Sequence, residues 1–193
     1  MHAARSVSVI RPLLLALLLA MGIVQPSLAA RLPPIADTPA GPYRLGTGDE
    51  VRVNVFGLDV ASNSYAIGDD GTISIPLLGL IAADGKSLPE LEAAIAAGLR
   101  QKDVVRQPSV SVQMTRYRPF FILGEVQKPG QYPYVPGMSV LTAVSIAGGF
   151  TFRADERRAV ILRASEGRML RGKATPETRV QPGDTVNIAE GWF

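Results

Sequence analysis

The chain has 193 residues, with 20 basic and 17 acidic side chains, one histidine and no cysteine, a length that accommodates one domain or two small ones. Without cysteine there are no disulfides, no thiolate metal sites and no cysteine nucleophile. Hydrophobic residues at 47% and charged residues at 19% exclude a disordered chain, and 19 glycines with 15 prolines point to many turns and a strand-rich fold.

The first thirty residues read as an export signal. Arg5 and Arg11 give a basic start, an apolar stretch runs from Leu13 to Val24, and Pro26 precedes the small-residue segment Ser27-Leu28-Ala29, the pattern of a signal peptide over 1–29 with cleavage after Ala29. The apolar run is shorter than the roughly 20 residues needed to span a bilayer. Cleavage removes two arginines and leaves 18 basic against 17 acidic residues, so the pI of about 9.4 overstates the basicity of the working protein. No Lys/Arg run exceeds Arg157-Arg158, and nucleic acid is not an expected partner.

Cleavage also removes His2. The mature chain then holds neither His nor Cys, which eliminates Ser-His and Cys-His nucleophile pairs, the usual zinc sites and imidazole acid–base chemistry. Carboxylate pairs remain, because glycoside cleavage needs only two acids. The adjacent acids Asp49-Glu50, Asp69-Asp70 and Asp155-Glu156 lie beside glycines or at turns, where Asp bonds its own backbone. The chain is read as non-catalytic, with no cofactor and no metal.

Residues 30–42, with Pro33, Pro34, Pro39 and Pro42, are expected to form an extended leader. The turn Gly46-Thr47-Gly48-Asp49 precedes Val51, Val53 and Val55, which alternate with Arg52 and Asn54 as a half-buried strand. Ser64–Ile67 and Thr72–Ile75 flank Asp69-Asp70-Gly71, predicting a hairpin on an Asp-Gly turn. Pro76 ends that strand and a short apolar segment follows over 77–82. Ser87 with Glu90 has capping-box spacing, Pro89 falls in the first turn, and Leu88, Leu91, Ile95 and Leu99 share a helix face. A strand over 110–115 closes a first unit of residues 43–117.

A second unit, 118–193, opens with a strand over 120–123 and the turn Lys128-Pro129-Gly130. Tyr132 and Tyr134 alternate with Pro133 and Val135. Ser139 caps a short helix that Gly148-Gly149 stops. Strands are expected over 159–163 and 169–171, and Pro182-Gly183-Asp184 repeats the logic of Thr47-Gly48-Asp49 ahead of Val186 and Ile188. The whole reads as α+β, a small mixed-sheet domain followed by a β-grasp-like domain.

Two stretches carry a family resemblance. Residues 43–53 (Tyr43-Arg44-Leu45-Gly46-Thr47-Gly48-Asp49 with Val51-Arg52-Val53) and Asp70-Gly71-Thr72-Ile73-Ser74-Ile75-Pro76-Leu77-Leu78-Gly79 resemble the N-terminal domain of bacterial outer-membrane polysaccharide export proteins. Gly124-Glu125-Val126 with Lys128-Pro129-Gly130, through Ala147-Gly148-Gly149-Phe150, is similar to the soluble-ligand-binding β-grasp domain that follows it in that family. The resemblance implies an exported protein of the periplasm or outer-membrane surface that forms a ring-shaped homo-oligomer and exports capsular or extracellular polysaccharide. It further implies an inner-membrane chain-length co-polymerase as a partner. No lipid-anchoring cysteine follows the signal and the sequence stops at Gly191-Trp192-Phe193, so the expectation is a short form working with a separate outer-membrane channel.

Candidate contacts with polymer or neighbouring subunits are Tyr132, Tyr134, Arg153, Arg157, Arg158, Trp192 and Phe193, with Arg116 and Arg118 as further basic candidates. Core packing competes for the aromatics, and ordinary solvation for the arginines. Two other functions stand beside export: a periplasmic carbohydrate- or ligand-binding module without a transport role, and a carboxylate-only glycan-cleaving enzyme.

Overall fold

The computed structural model describes residues 32–35, 42–165 and 167–191. The expected signal peptide, most of the leader, and the candidates Trp192 and Phe193 lie outside the described residues. The fold is α+β, with ten strands and two α-helices among the described residues. None of these helices is long and apolar enough to cross a membrane.

Strand β1 (Glu50–Val55) is the centre of a three-stranded antiparallel sheet, flanked by β2 (Asn63–Ala66) and β5 (Val110–Arg116). Its alternation is realised: Val51, Val53 and Val55 are buried while Arg52 and Asn54 face water. Helix α1 (Leu88–Gln101) packs on that apolar face. Its start is the expected capping box, with Ser87 accepting from the Glu90 amide and Glu90 accepting from the Ser87 amide. Leu91, Ile95 and Leu99 are fully buried against Val51, Val53 and Val112, each burial contributing about 1.5–3 kcal/mol. The helix stops where Asp103 turns to φ 53° and the Val104 amide reaches back to the Leu99 carbonyl, satisfying an orphan acceptor of the last turn.

The expected hairpin between 64–67 and 72–75 does not form. Strand β3 (Thr72–Ile75) pairs with β4 (Gly79–Ala82), and β2 pairs with β1 instead. The Asp69-Asp70-Gly71 turn itself is present, closed by Gly68 and Thr72. Asp70 takes both the amide and the hydroxyl of Thr72, so the turn is satisfied locally without a ladder beyond it. The Gly71 carbonyl, meanwhile, accepts from Ala83 and Asp84 at the end of β4. Turn chemistry fixed the bend, and long-range pairing decided the partner.

In the second half, five strands form a mixed sheet in the order β7 (Gly130–Tyr132), β6 (Phe120–Gly124), β10 (Thr185–Glu190), β8 (Ala154–Ser165), β9 (Arg168–Ala174). Strand β10 runs parallel to β6 and antiparallel to β8. Helix α2 (Val140–Ile146), capped by Ser139, covers one face and packs Val140, Ala143 and Val144 on Phe120, Ile122, Ile161 and Val186. This second hydrophobic cluster shares no residue with the first. Strand β8 is longer than its sequence window because a bulge opposite Ile188–Glu190 lets pairing resume at Ala154.

The leader contributes more than an extended tail. Residues 33–35 add to the outer edge of β9, with the Ile35 amide on the Lys173 carbonyl and the Lys173 amide on the Pro33 carbonyl, both 2.8 Å. Ile35 is buried in the second core. Gly172 makes this possible, since a Cβ there would meet the Ile35 backbone at 2.7–2.8 Å. The strap covers an edge that would otherwise present unpaired backbone groups.

Candidate functional site

The most constrained polar constellation joins the two halves of the chain. It is built from the two Gly-Asp turns that the sequence repeats. In the first, the Asp49 amide donates to the Gly46 carbonyl and the Gly46 amide returns a bond to Asp49 Oδ2 at 2.8 Å. In the second, Asp184 donates to Gln181 and accepts from the Gln181 amide at 2.7 Å. Gly48 and Gly183 take the same left-handed conformation, φ 86° and 83°. Each turn feeds a central strand, β1 or β10, and each aspartate is buried.

Buried carboxylates require partners, and both have them. Asp49 accepts from the Tyr43 hydroxyl at 2.6 Å and from the Arg118 amide at 2.7 Å. Asp184 is held bidentate by Arg163 at 2.9 and 2.7 Å, the geometry that guanidinium matches best. Burial pushes the Asp184 carboxyl above its ordinary value, opposed by the Arg163 hydrogen bond and charge and by the Gln181 amide. The Tyr43 hydroxyl is driven far above the usual tyrosine range, first by burial and then by its bond to Asp49.

Arg118 links the two turns. Its guanidinium lies 3.7 Å from Asp49 Oδ2, its Nε donates to the Pro182 carbonyl at 3.2 Å, and its plane sits 5.8 Å from the Tyr43 ring centre. Beside it Tyr43, Tyr117 and Tyr134 run edge to face at 5.2 and 5.4 Å, a favourable aromatic arrangement. The side chain of Arg118 is only 27% exposed. This corrects the sequence expectation of a solvated or polymer-facing arginine: Arg118 is a clamp between the two sheets.

The other candidates fall in three places. Arg153, Arg157 and Arg158 gather at the β8 bulge. Arg153 pairs with Glu190; Arg158 pairs with Asp155 at 2.8 Å and donates to the Glu190 carbonyl at 3.1 Å; the Arg157 amide is held by Asp155. Tyr132 stacks on Phe120, ring centres 6.1 Å apart, and donates its hydroxyl to the Lys128 carbonyl; Tyr134 joins the aromatic row. Both rings pack against the second core. Arg116 pairs with Glu50 at the start of β1. Asp70 and Asp155 each accept the amide two residues on, the turn role expected of the adjacent acids. Sequence reasoning did not find the Arg163–Asp184 pair or the Asp49–Arg118 link. The repeated Gly-Asp turn was the available signal.

This pair of domains, in this order, is the arrangement that two family models match. Residues 37–115 match the polysaccharide biosynthesis/export protein family and residues 119–173 match the SLBB domain. The chain belongs to the polysaccharide export protein family. It is 40% identical over 127 residues to the exopolysaccharide production protein ExoF of Rhizobium meliloti (strain 1021), covering 60% of this chain and 30% of that protein. It is 29% identical over 186 residues to the EPS I polysaccharide export outer membrane protein EpsA of Ralstonia nicotianae, covering 78% and 48%. The protein of the same name from Ralstonia solanacearum is 26% identical over 175 residues, covering 76% and 46%. The chain thus spans between about a third and a half of the length of these relatives.

Proposed function

We propose that this chain is a non-enzymatic component of a polysaccharide export complex at the periplasmic side of the outer membrane. In this reading its two domains, 43–117 and 118–193, form one rigid wedge of a ring-shaped homo-oligomer through which capsular or extracellular polysaccharide passes. The carrying observation is the seam. Asp49, Arg118 and the Pro182-Gly183-Asp184 turn tie the first domain to the second through buried and partly buried polar contacts, and a ring of identical heterologous contacts closes only if its subunits keep a fixed shape. The relatives' names, exopolysaccharide production and polysaccharide export, support the same reading. An inner-membrane chain-length co-polymerase and a separate outer-membrane channel are the proposed partners. The bulge arginines Arg153, Arg157 and Arg158 and the rings Tyr132 and Tyr134 are the proposed contacts with polymer or with a neighbouring subunit, along with Trp192 and Phe193.

The test is complementation of a deletion strain with acid-pair variants. Asp69→Asn with Asp70→Asn, and Asp155→Asn with Glu156→Gln, are expected to restore secretion as the intact gene does, while a gene lacking residues 1–29 restores none. Loss of secretion in a variant that is folded and present in the envelope would favour the glycan-cleaving reading.

A further inference from the structure

We propose that the loop between β1 and β2 of one copy docks on the open face of the five-stranded sheet of a second copy, a head-to-tail contact that rests on the assembly reading above. The loop presents Phe56 at 87% exposure, Val60 at 56% and the exposed Asp59. An aromatic ring this exposed has no role in its own core, and clustered exposed apolar groups mark interaction surfaces. The loop is also pre-set. Ser62 accepts from the Val55 amide and donates to the carbonyls of Val55 and Leu58, and the Phe56 amide is tied to the Ser109 carbonyl. A segment already held in one shape loses little conformational entropy on docking.

The receiving face is the side of the sheet that α2 does not cover. Buried Ile122, Ile161, Val186 and Ala174 point to the helix side. Strand alternation and the pairing register therefore put Phe121, Leu123, Val160 and Leu162 outward, with Arg171 and Lys173 beside them on β9. Phe121 and Leu123 remain 41% and 47% exposed. Between them β10 adds the neutral polar side chains Thr185 and Asn187, while its one acid, Glu190, lies beyond the register shift and pairs with Arg153. The loop is apolar and acidic; the face is apolar and basic.

The charge balance of the two halves agrees. Residues 43–117 hold nine acids and seven bases, and residues 118–191 hold ten bases and seven acids. Opposite potentials steer a head-to-tail encounter and penalise like-to-like docking. The loop sits at the end of β1 away from the seam, about 17 Å along the strand, so the contact joins different copies. Because the two surfaces differ, each docked copy leaves one of each free for the next, which propagates until the chain of copies closes.

The natural absence of cysteine makes the test direct. The full gene is expressed with Phe56→Cys paired with either Leu123→Cys or Leu162→Cys, and the protein is purified from the envelope and oxidised. A ladder of multimers on a non-reducing gel is expected from a double variant, whereas a mixture of the two single variants stops at dimers. Separately, Phe56→Asp is expected to raise the concentration of half-assembly at least tenfold, with an unchanged melting temperature. If the unmodified chain assembles while neither double variant cross-links, or if Phe56→Cys alone cross-links to itself, the interface is overturned and the assembly reading stands. An unmodified chain that is monomeric at every concentration overturns both.

Discussion

Replacing Asp49 by alanine removes the acceptor on which the Tyr43 hydroxyl, the Gly46 amide and the Arg118 amide converge. Asp49 is fully buried, so water does not replace it without opening the turn. A buried donor left unsatisfied costs about 1–3 kcal/mol, and breaking a buried charge pair costs about 3–5 kcal/mol. The two ranges meet at about 3 kcal/mol, and the partly exposed Arg118 guanidinium keeps the cost at that value. For a chain of this size that lowers Tm by roughly 6–12 °C, at about 2–4 °C per kcal/mol. The effect has a second signature. Asp49 belongs to the first half and the Arg118 amide to the second, and the two hydrophobic cores are separate. Calorimetry of the unmodified chain is expected to show one transition and that of Asp49→Ala to show two, the first half melting earlier. A single transition displaced by less than about 1 kcal/mol would refute the argument that this carboxylate holds the halves together.

Three further outcomes follow from the same contacts. Gly172→Val drives a side chain into the Ile35 backbone and should cost about 1–3 kcal/mol, releasing the strap; limited proteolysis near residues 33–35, absent in the unmodified chain, checks it. Because the Tyr43 hydroxyl titrates above its unfolded value, the neutral form is the one the fold prefers, so its contribution is complete below pH about 10 and is lost as pH rises further. Denaturant titrations should show stability falling on the alkaline side, and Tyr43→Phe should flatten that fall. Ser87→Ala deletes half of the capping box at α1 and should cost about 1 kcal/mol, read as a lower urea midpoint with an unchanged slope.

The parts of this fold legible in the sequence are those governed by near neighbours. The alternation Val51-Arg52-Val53, the Ser87–Glu90 cap and the Ser139 cap each use residues within a few positions, and each appears where expected. The pairing of β2 with β1 rather than with β3 was not legible, because the Asp70 turn satisfies its own local chemistry whichever strand follows. The seam was hidden for a related reason. Arg118 and Asp49 are 69 positions apart and Arg163 and Asp184 are 21 apart; nothing local distinguishes a clamping arginine from the solvated ones at 153, 157 and 158. The strap was equally unreadable, since Gly172 is unusual only once Ile35 lies against it. What the sequence did carry was the repeated Gly-Asp turn, whose two copies mark the ends of the seam.

The export role is tested most directly by a clean deletion, with polysaccharide quantified outside the cell and in the periplasm. The account predicts that secreted polysaccharide falls in the deletion strain and returns with the intact gene. Secretion that is unchanged in the deletion strain would contradict it.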